Sequence, residues 1–136
     1  MKAEELMIGD WVQHQEGACI VTAIAEDGIY FKDSISRGAT SFDRIEPIPL
    51  TREILKKNGF DVSDREVMYY YFTLEGNPDW QREYFALKQM YDKETKEPKG
   101  FSYFVCNVLT IFDYVHQLQH ALRLVGLTKL ADNFKV

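Results

Sequence analysis

Three residues near the C-terminus have the types and the spacing that could hold a metal ion. Asp113, His116 and His120 stand at positions i, i+3 and i+7 of a segment with a helical pattern. Two histidines four residues apart on a helix can present both imidazoles to one zinc ion. The spacing therefore raises the hypothesis of a small metal-assisted hydrolase that uses these three residues as ligands.

Helical geometry weighs against this metal hypothesis. At about 100° per residue, the apolar positions of the segment share one side of the helix, and the three candidate ligands lie on nearly the opposite side. The glutamate that follows the first histidine in an HExxH motif is replaced by Gln117. Asp113 also has a simpler role as a helix cap. We therefore expect the three side chains to face solvent and do not predict a metal site from them.

No other pattern in the chain predicts a catalytic residue or a cofactor. Cys19 and Cys106 lie inside apolar runs rather than in a CxxC pair, which indicates buried thiols. No signature of a nucleophile stands beside His14, the third histidine. The glycines are scattered singly, without the GxGxxG or GxxxxGK spacing that cradles phosphates.

Three consecutive tyrosines form the most aromatic stretch. In a strand, Tyr69 and Tyr71 would share one face, while Tyr70 would share the other face with Phe72. Platforms that stack nucleic-acid bases carry interleaved Lys or Arg, and here only Arg65 is close in sequence. We therefore predict that the tyrosines pack within a sheet rather than against bases.

The polar side of the C-terminal helix is a candidate interaction surface. Amide side chains lose less on desolvation than charged ones do, which suits contact with another protein. We expect a non-catalytic accessory protein that binds another protein or a second copy of itself. The alternatives are the metal-assisted hydrolase and a nucleic-acid accessory protein of a mobile element. The candidate interaction residues are His116, Gln117, Gln119, His120 and Arg123.

Charge and hydropathy weigh against nucleic acid and membranes as partners. The 136 residues have a net charge of −5, and residues 1–50 hold four basic residues against nine acids. Nucleic-acid affinity comes mostly from Lys and Arg at phosphates, so the composition does not favour it. The longest apolar stretch, residues 101–112, is shorter than the roughly 20 residues that span a bilayer. The first residues lack the apolar core of a secretory signal, and we expect a cytoplasmic protein without membrane contact.

Residues 1–49 are predicted to form a small β-barrel-like module. About five short β-rich runs alternate with turn signals, a spacing that suits a small barrel. Asp27-Gly28 between two such runs predicts a hairpin with a type I′ turn. Pro47 and Pro49 close the segment.

A short helix is predicted to follow from residue 51. Thr51 can cap its first turn, and Asn58-Gly59 can end it. Phe60 then stands where a Schellman motif places an apolar residue, which would pack back on Leu55.

Residues 50–136 are predicted to form an α-β-β-β-α module that shares a core with the first. The three antiparallel strands are expected over residues 67–74, 83–91 and 101–109. The C-terminal helix is expected to begin at a capping box of Thr110 and Asp113, to end at Gly126, and to cover the sheet. Its apolar stripe is Ile111, Val115, Leu118, Leu122 and Val125.

Several sequence blocks resemble known groups of proteins. Residues 6–12 (LMIGDWV), at the start of a run of short strands, resemble the first strand of SH3-like small barrels. Residues 45–51 (IEPIPLT), 58–60 (NGF), 114–119 (YVHQLQ) and 127–128 (LT) resemble a group of short uncharacterised proteins from gut anaerobic bacteria, often near mobile or prophage-like elements. The resemblance implies a barrel-like N-terminal part followed by a helix and a sheet, and it implies no activity and no site residues.

Overall fold

The chain folds into two compact units, each built around one antiparallel sheet. The structure, a computed structural model, describes residues 1–15, 17–105 and 108–136. The first unit contains Met1–Pro49, Tyr114–Phe134 and Val136, and the second contains Leu50–Asp113 and Lys135. The predicted α+β class is confirmed. Within the described ranges, no helix has the length and apolar character needed to cross a bilayer.

The first unit holds a five-stranded sheet whose strands have the order β4-β3-β2-β1-β5. The strands are β1 (Trp11–His14), β2 (Gly17–Ile24), β3 (Gly28–Lys32), β4 (Arg37–Ser41) and β5 (Glu46–Pro47). Every neighbouring pair is antiparallel, and a 3₁₀ turn over Phe42–Arg44 leads into β5. As described, the sheet is open, so closure into a barrel is not confirmed.

The hairpin between β2 and β3 is confirmed, but its turn is not the predicted one. The loop contains residues 25–27, closed by a 2.8 Å hydrogen bond from Ala25 N–H to Gly28 O. A type I′ turn would require a positive φ at Gly28. Gly28 is instead the first residue of β3, and its φ is not positive. Glycine is needed here for another reason, because a Cβ would overlap the backbone oxygen of Thr40 on β4.

The C-terminal helix begins later than predicted. Helix α2 spans Val115–Leu124, with Tyr114 at its N-cap. Thr110 and Ile111 instead lie in a strand, so the predicted capping box of Thr110 and Asp113 is wrong. Pairing with β8 extends the strand to Phe112, which lies opposite Phe101, and this pairing overrides the helix signal.

Helix α2 also packs on a different sheet from the one predicted. Together with α3 (Thr128–Asp132), it belongs to the first unit. Its Val115, Leu118 and Leu122 are fully buried, as the apolar stripe predicted, whereas Val125, the C-cap residue, is 44% exposed and does not belong to the buried side. Gly126 ends the helix as predicted, at a φ of +88°. The second unit starts at Leu50, and residues 114–134 belong to the first unit.

The second unit holds a four-stranded sheet in the order β6-β7-β8-β9, with α1 (Arg52–Lys57) before it. The strands are β6 (Val67–Thr73), β7 (Arg82–Tyr91), β8 (Pro98–Val105) and β9 (Val108–Phe112). The prediction of three strands is wrong, because β8 ends at Val105 and β9 starts at Val108, both inside the predicted third strand. Val105 pairs antiparallel with Val108, so the two parts belong to neighbouring strands.

Both ends of α1 follow the local signals in the sequence. Ile54 N–H donates to Thr51 Oγ1 at 3.2 Å, which confirms the predicted cap. Phe60 N–H donates to Leu55 O at 3.1 Å, and Gly59 N–H donates to Lys56 O at 3.2 Å. This pair of bonds, with Gly59 at a φ of +85°, is the predicted Schellman motif.

The strand register separates the second sheet into a buried face and an exposed face. Five apolar residues, one to two from each strand, fill the buried face, and Phe60 packs edge-on against Phe85 beneath it. They are Met68, Phe85, Leu87, Phe101 and Phe112. The opposite face carries the alternate residues and defines the candidate site described next.

Candidate functional site: a tyrosine face and a buried polar network

The predicted interaction surface on α2 lies mostly inside the first unit. Gln119 is fully buried, His116 is 5% exposed, and Gln117, His120 and Arg123 are partly buried. The prediction that this side of the helix faces solvent is therefore wrong. The reason is that polar partners for these side chains exist on the segment that leads into β1, so the helix can bury two sides.

Asp10 is the centre of this buried network. Its carboxylate is fully buried, and Oδ2 accepts a hydrogen bond of 2.7 Å from Met7 N–H. His120 Nε2 lies 2.7 Å from the same oxygen, and Arg123 Nη1 lies 3.0 Å from Oδ1. Arg123 also reaches Asp132 of α3, with Nε 3.6 Å from Oδ1. A buried carboxylate requires such donors, and here they clamp α2 to the start of β1.

Gln119 completes the clamp through three hydrogen bonds. Trp11 N–H donates to its Oε1 at 3.0 Å, and its Nε2 donates to Gly9 O at 3.0 Å and Ala131 O at 3.1 Å. One amide thus satisfies backbone groups of β1, the preceding turn and α3. Its burial is explained by these bonds, which make it a structural residue.

His116 and Arg123 hold the two unpaired buried nitrogens of the described residues. Neither His116 Nδ1 nor Arg123 Nη2 has a hydrogen-bond partner there. Burial lowers the pKa of His116, with a further contribution from nearby His120, although the carboxylates of Asp10 and Glu5 oppose this. The imidazole is consequently held in its neutral form within the first unit.

The three candidate metal ligands are not brought together as a metal site among the described residues. Asp113 lies between β9 and α2, in the second unit, so the helical i, i+3, i+7 spacing does not apply to it. The imidazoles of His116 and His120 have centroids 5.6 Å apart, and Nε2 of His120 is engaged by Asp10. Across residues 1–15, 17–105 and 108–136, no group of three His, Cys, Asp or Glu side chains could hold a metal ion.

A cleft in the first unit brings together His14, Cys19 and Asp33. Burial, and to a smaller extent the carboxylate of Asp33, raises the pKa of the Cys19 thiol to about 11. A thiol with so high a pKa carries almost no thiolate at neutral pH. The His14 ring lies against Phe31 in a tilted arrangement, with the ring centroids 5.1 Å apart. The cleft therefore lacks an activated nucleophile, and Cys106, the other cysteine, lies outside the described residues.

The exposed side of the second sheet carries a cluster that we name the tyrosine face, formed by Tyr69, Tyr71, Tyr84 and Arg82. Tyr71 pairs with Tyr84 across β6 and β7, so both side chains leave the sheet on the same side. Tyr69 stacks on Tyr71 at 5.8 Å and meets Tyr84 edge-on at 5.6 Å. The guanidinium of Arg82 lies 4.9 Å from the centre of the Tyr71 ring.

This face is open rather than covered by another element. Tyr71 is 42% exposed and Tyr84 is 62% exposed. The predicted sharing of faces by Tyr69 with Tyr71, and by Tyr70 with Phe72, is confirmed. The predicted packing holds for Tyr70, which lies 5.4 Å from Phe60, but Tyr71 and Tyr84 expose much of their rings.

The register carries the same side of the sheet across to β9. Lys88 pairs with Ser102, and Ser102 pairs with Ile111, so Leu109 and Ile111 share the side of the tyrosine face. Leu109 is 54% exposed and Ile111 is 48% exposed. Beside Ile111 opens a cleft of about 720 Å³ whose lining includes both Lys and Asp or Glu side chains. On this side, β9 therefore presents two half-exposed apolar residues, where an antiparallel sheet open to water normally has polar ones.

The sequence alone did not reveal the residues that define the exposed side of the second sheet, nor the burial of Asp10 in the first unit. It places Tyr84 and Leu109 in strands and Ile111 in a helix stripe without giving them a common face, because a register cannot be read from one strand. The position of Asp10 beside a turn predicts only a solvated carboxylate. The signal that could have revealed its burial is the row Gln119, His120 and Arg123, whose donors need an acceptor once the helix is buried.

Comparison with known proteins adds no identification. No family model matches the chain, and no curated protein or solved structure is significantly similar to it.

Proposed function

We propose that the protein is a non-catalytic interaction module that binds a protein partner through the tyrosine face. The observation that carries the proposal is the exposure of Tyr71 and Tyr84, side by side on one sheet face with Arg82 beside them. Tyr and Arg are enriched in the residues that dominate binding energy in protein interfaces. Tyrosine gives a large contact area at a small cost in conformational entropy.

The polar residues of the first unit support a non-catalytic role. Asp10 and His120 are paired with each other, and the Asp10 carboxylate is also held by Arg123 and Met7 N–H. These contacts hold α2 in place within the first unit. A general base needs a free position within reach of a substrate, so the pairing of Asp10 with His120 favours a structural role. We also propose that the first unit is an SH3-like module, which its strand order and the 3₁₀ turn before β5 support.

A random peptide library displayed on phage tests this function, because selection on the protein itself finds sequences that bind it. Peptides selected on the wild-type protein are expected to lose binding by roughly 30-fold or more in the double variant Tyr71→Ser/Tyr84→Ser, since the loss of even one residue that contributes about 2 kcal/mol weakens binding by that factor. The affinity is measured by fluorescence polarisation of the synthesised peptides. The matched control is Tyr30→Ser, which removes an exposed tyrosine of β3 in the first unit. The proposal would be contradicted if the selected peptides bound the wild-type protein and the double variant equally well, or if the selection yielded no binding peptide.

Single-stranded nucleic acid is the second candidate ligand of the same face. Arg82 over Tyr71, with exposed Lys88 on the same side, favours it, because bases stack on aromatic rings beside cations. Charge balance favours it less, since residues 51–136 hold twelve basic and twelve acidic residues. A fluorescein-labelled oligothymidylate separates the two candidates. Binding of this oligonucleotide by the wild-type protein that weakens steeply with salt, and that disappears in Tyr71→Ser/Tyr84→Ser, would establish nucleic acid as the ligand.

A further inference from the structure

Strand β9 leaves one of its edges open. Among the strands that the structure describes, only β8 pairs with it, and β9 therefore ends the sheet. The chain just beyond β9 is already paired, because Leu50 N–H donates to Asp113 O at 2.9 Å. The open edge is thus limited to Val108–Phe112.

The other edge of the same sheet is treated differently. Asp61 forms a bridge to Tyr69 at the outer side of β6, with hydrogen bonds of 2.7 Å and 3.1 Å in the two directions. A short segment thus blocks part of that edge. Natural proteins commonly protect edges with such cover, with Pro, or with charged side chains.

None of these protective features occurs in β9. Its sequence is Val-Leu-Thr-Ile-Phe, without Pro, Gly or charge, and Leu109 and Ile111 are half exposed. β-branched and aromatic residues of this kind favour strand pairing. An unprotected apolar edge is a template for pairing with another strand.

We infer that β9 pairs antiparallel with β9 of a second copy of the chain, about a two-fold axis at Thr110. A second copy is the chosen partner because β9 is complementary to itself: an antiparallel pair centred on Thr110 sets each apolar residue opposite another apolar residue. In that register, Leu109 lies opposite Ile111 of the second copy, and Thr110 lies opposite Thr110. Apolar and Thr–Thr cross-strand pairs are both stabilising, so the two half-exposed side chains would cover each other.

This arrangement has a consequence for the tyrosine face. A two-fold axis perpendicular to the sheet joins the two four-stranded sheets into one of eight strands, with the same side facing the same direction. Both tyrosine faces then lie on one surface, and a partner with two copies of its epitope would bind them together. The pairing itself does not depend on what the tyrosine face binds.

Charge exchange on β9 tests the inference. Sedimentation velocity over a range of concentrations is expected to show wild-type mass rising from 15.9 kDa towards twice that value. Leu109→Lys/Ile111→Lys and Leu109→Glu/Ile111→Glu would place like charges opposite each other, and each is expected to weaken dimerisation by roughly tenfold or more. An equimolar mixture of the two variants is expected to recover the dimer, which a folding defect would not allow.

Two controls make the result specific to β9. Ile35→Lys changes a highly exposed isoleucine of the first unit and is expected to leave the dimer intact. Tyr71→Ser/Tyr84→Ser is expected to dimerise normally, so failure of the proposed partner binding and failure of this inference can be told apart. A wild-type mass of one chain at all concentrations, or dimers that persist in both charged variants separately, would overturn the inference.

Discussion

His116 is a residue whose burial should be visible in the pH dependence of stability. Burial lowers its pKa in the folded protein, with Asp10 and Glu5 opposing and His120 adding to the effect, whereas an unfolded histidine titrates near about 6.5. The unfolded state therefore binds the proton more readily. Neutral His116 therefore contributes fully to stability above about pH 6.5, the pKa of an unfolded histidine. The contribution is lost as the pH falls below that value, because the unfolded state takes up the proton first.

The variant His116→Phe removes this titration and keeps a ring beside Tyr114. Urea unfolding measured at intervals from pH 8 to pH 5 is expected to show a wild-type free energy of unfolding that falls relative to the variant's. The difference should develop mainly below about pH 6.5. Curves for the two proteins that stay parallel over the whole range would mean that His116 gains its proton equally well in the folded state.

At the scale of elements, Gly28 fixes how closely β3 and β4 approach. A Cβ at this position would overlap the backbone oxygen of Thr40, which cannot swing aside as a side chain can. Gly28→Ala is expected to lower the free energy of unfolding by about 3 kcal/mol, the upper end of the usual cost of overpacking. Chemical denaturation followed by circular dichroism measures this change. Asp27→Ala, in the exposed loop just before β3, should stay within about 0.5 kcal/mol of wild type, and an equal loss in both variants would refute the steric explanation.

Elements with local signals could be predicted, and elements decided by distant contacts could not. The cap at Thr51 and the stop at Gly59 involve residues within one or two turns, so the sequence carries the whole cause. The start of α2 depends instead on whether Thr110 pairs with Tyr103 of β8, a contact made through the register of another hairpin. The candidate site shows the same division, because the alternation of Tyr69 and Tyr71 is local whereas the pairing of Tyr71 with Tyr84 is not.

At the scale of the whole molecule, the chain leaves the first unit after Pro49 and returns to it at Tyr114. Composition and periodicity give α2 an apolar stripe but do not state which sheet the stripe covers. Two leucines of this helix offer a matched pair, because Leu122 is fully buried and Leu124 is almost fully exposed. The same substitution at both positions can therefore reveal where the helix packs.

Leu122→Ala is expected to destabilise the structure around α2 by about 3 kcal/mol, as removal of a buried leucine side chain usually does. Hydrogen exchange measured by mass spectrometry should then accelerate most in β1 and β2, and less in β7 and β8, because the helix belongs to the first unit. Leu124→Ala should leave exchange unchanged in both sheets. Faster exchange in β7 and β8 with β1 and β2 still protected would instead place the helix on the second sheet, as its position in the sequence suggests.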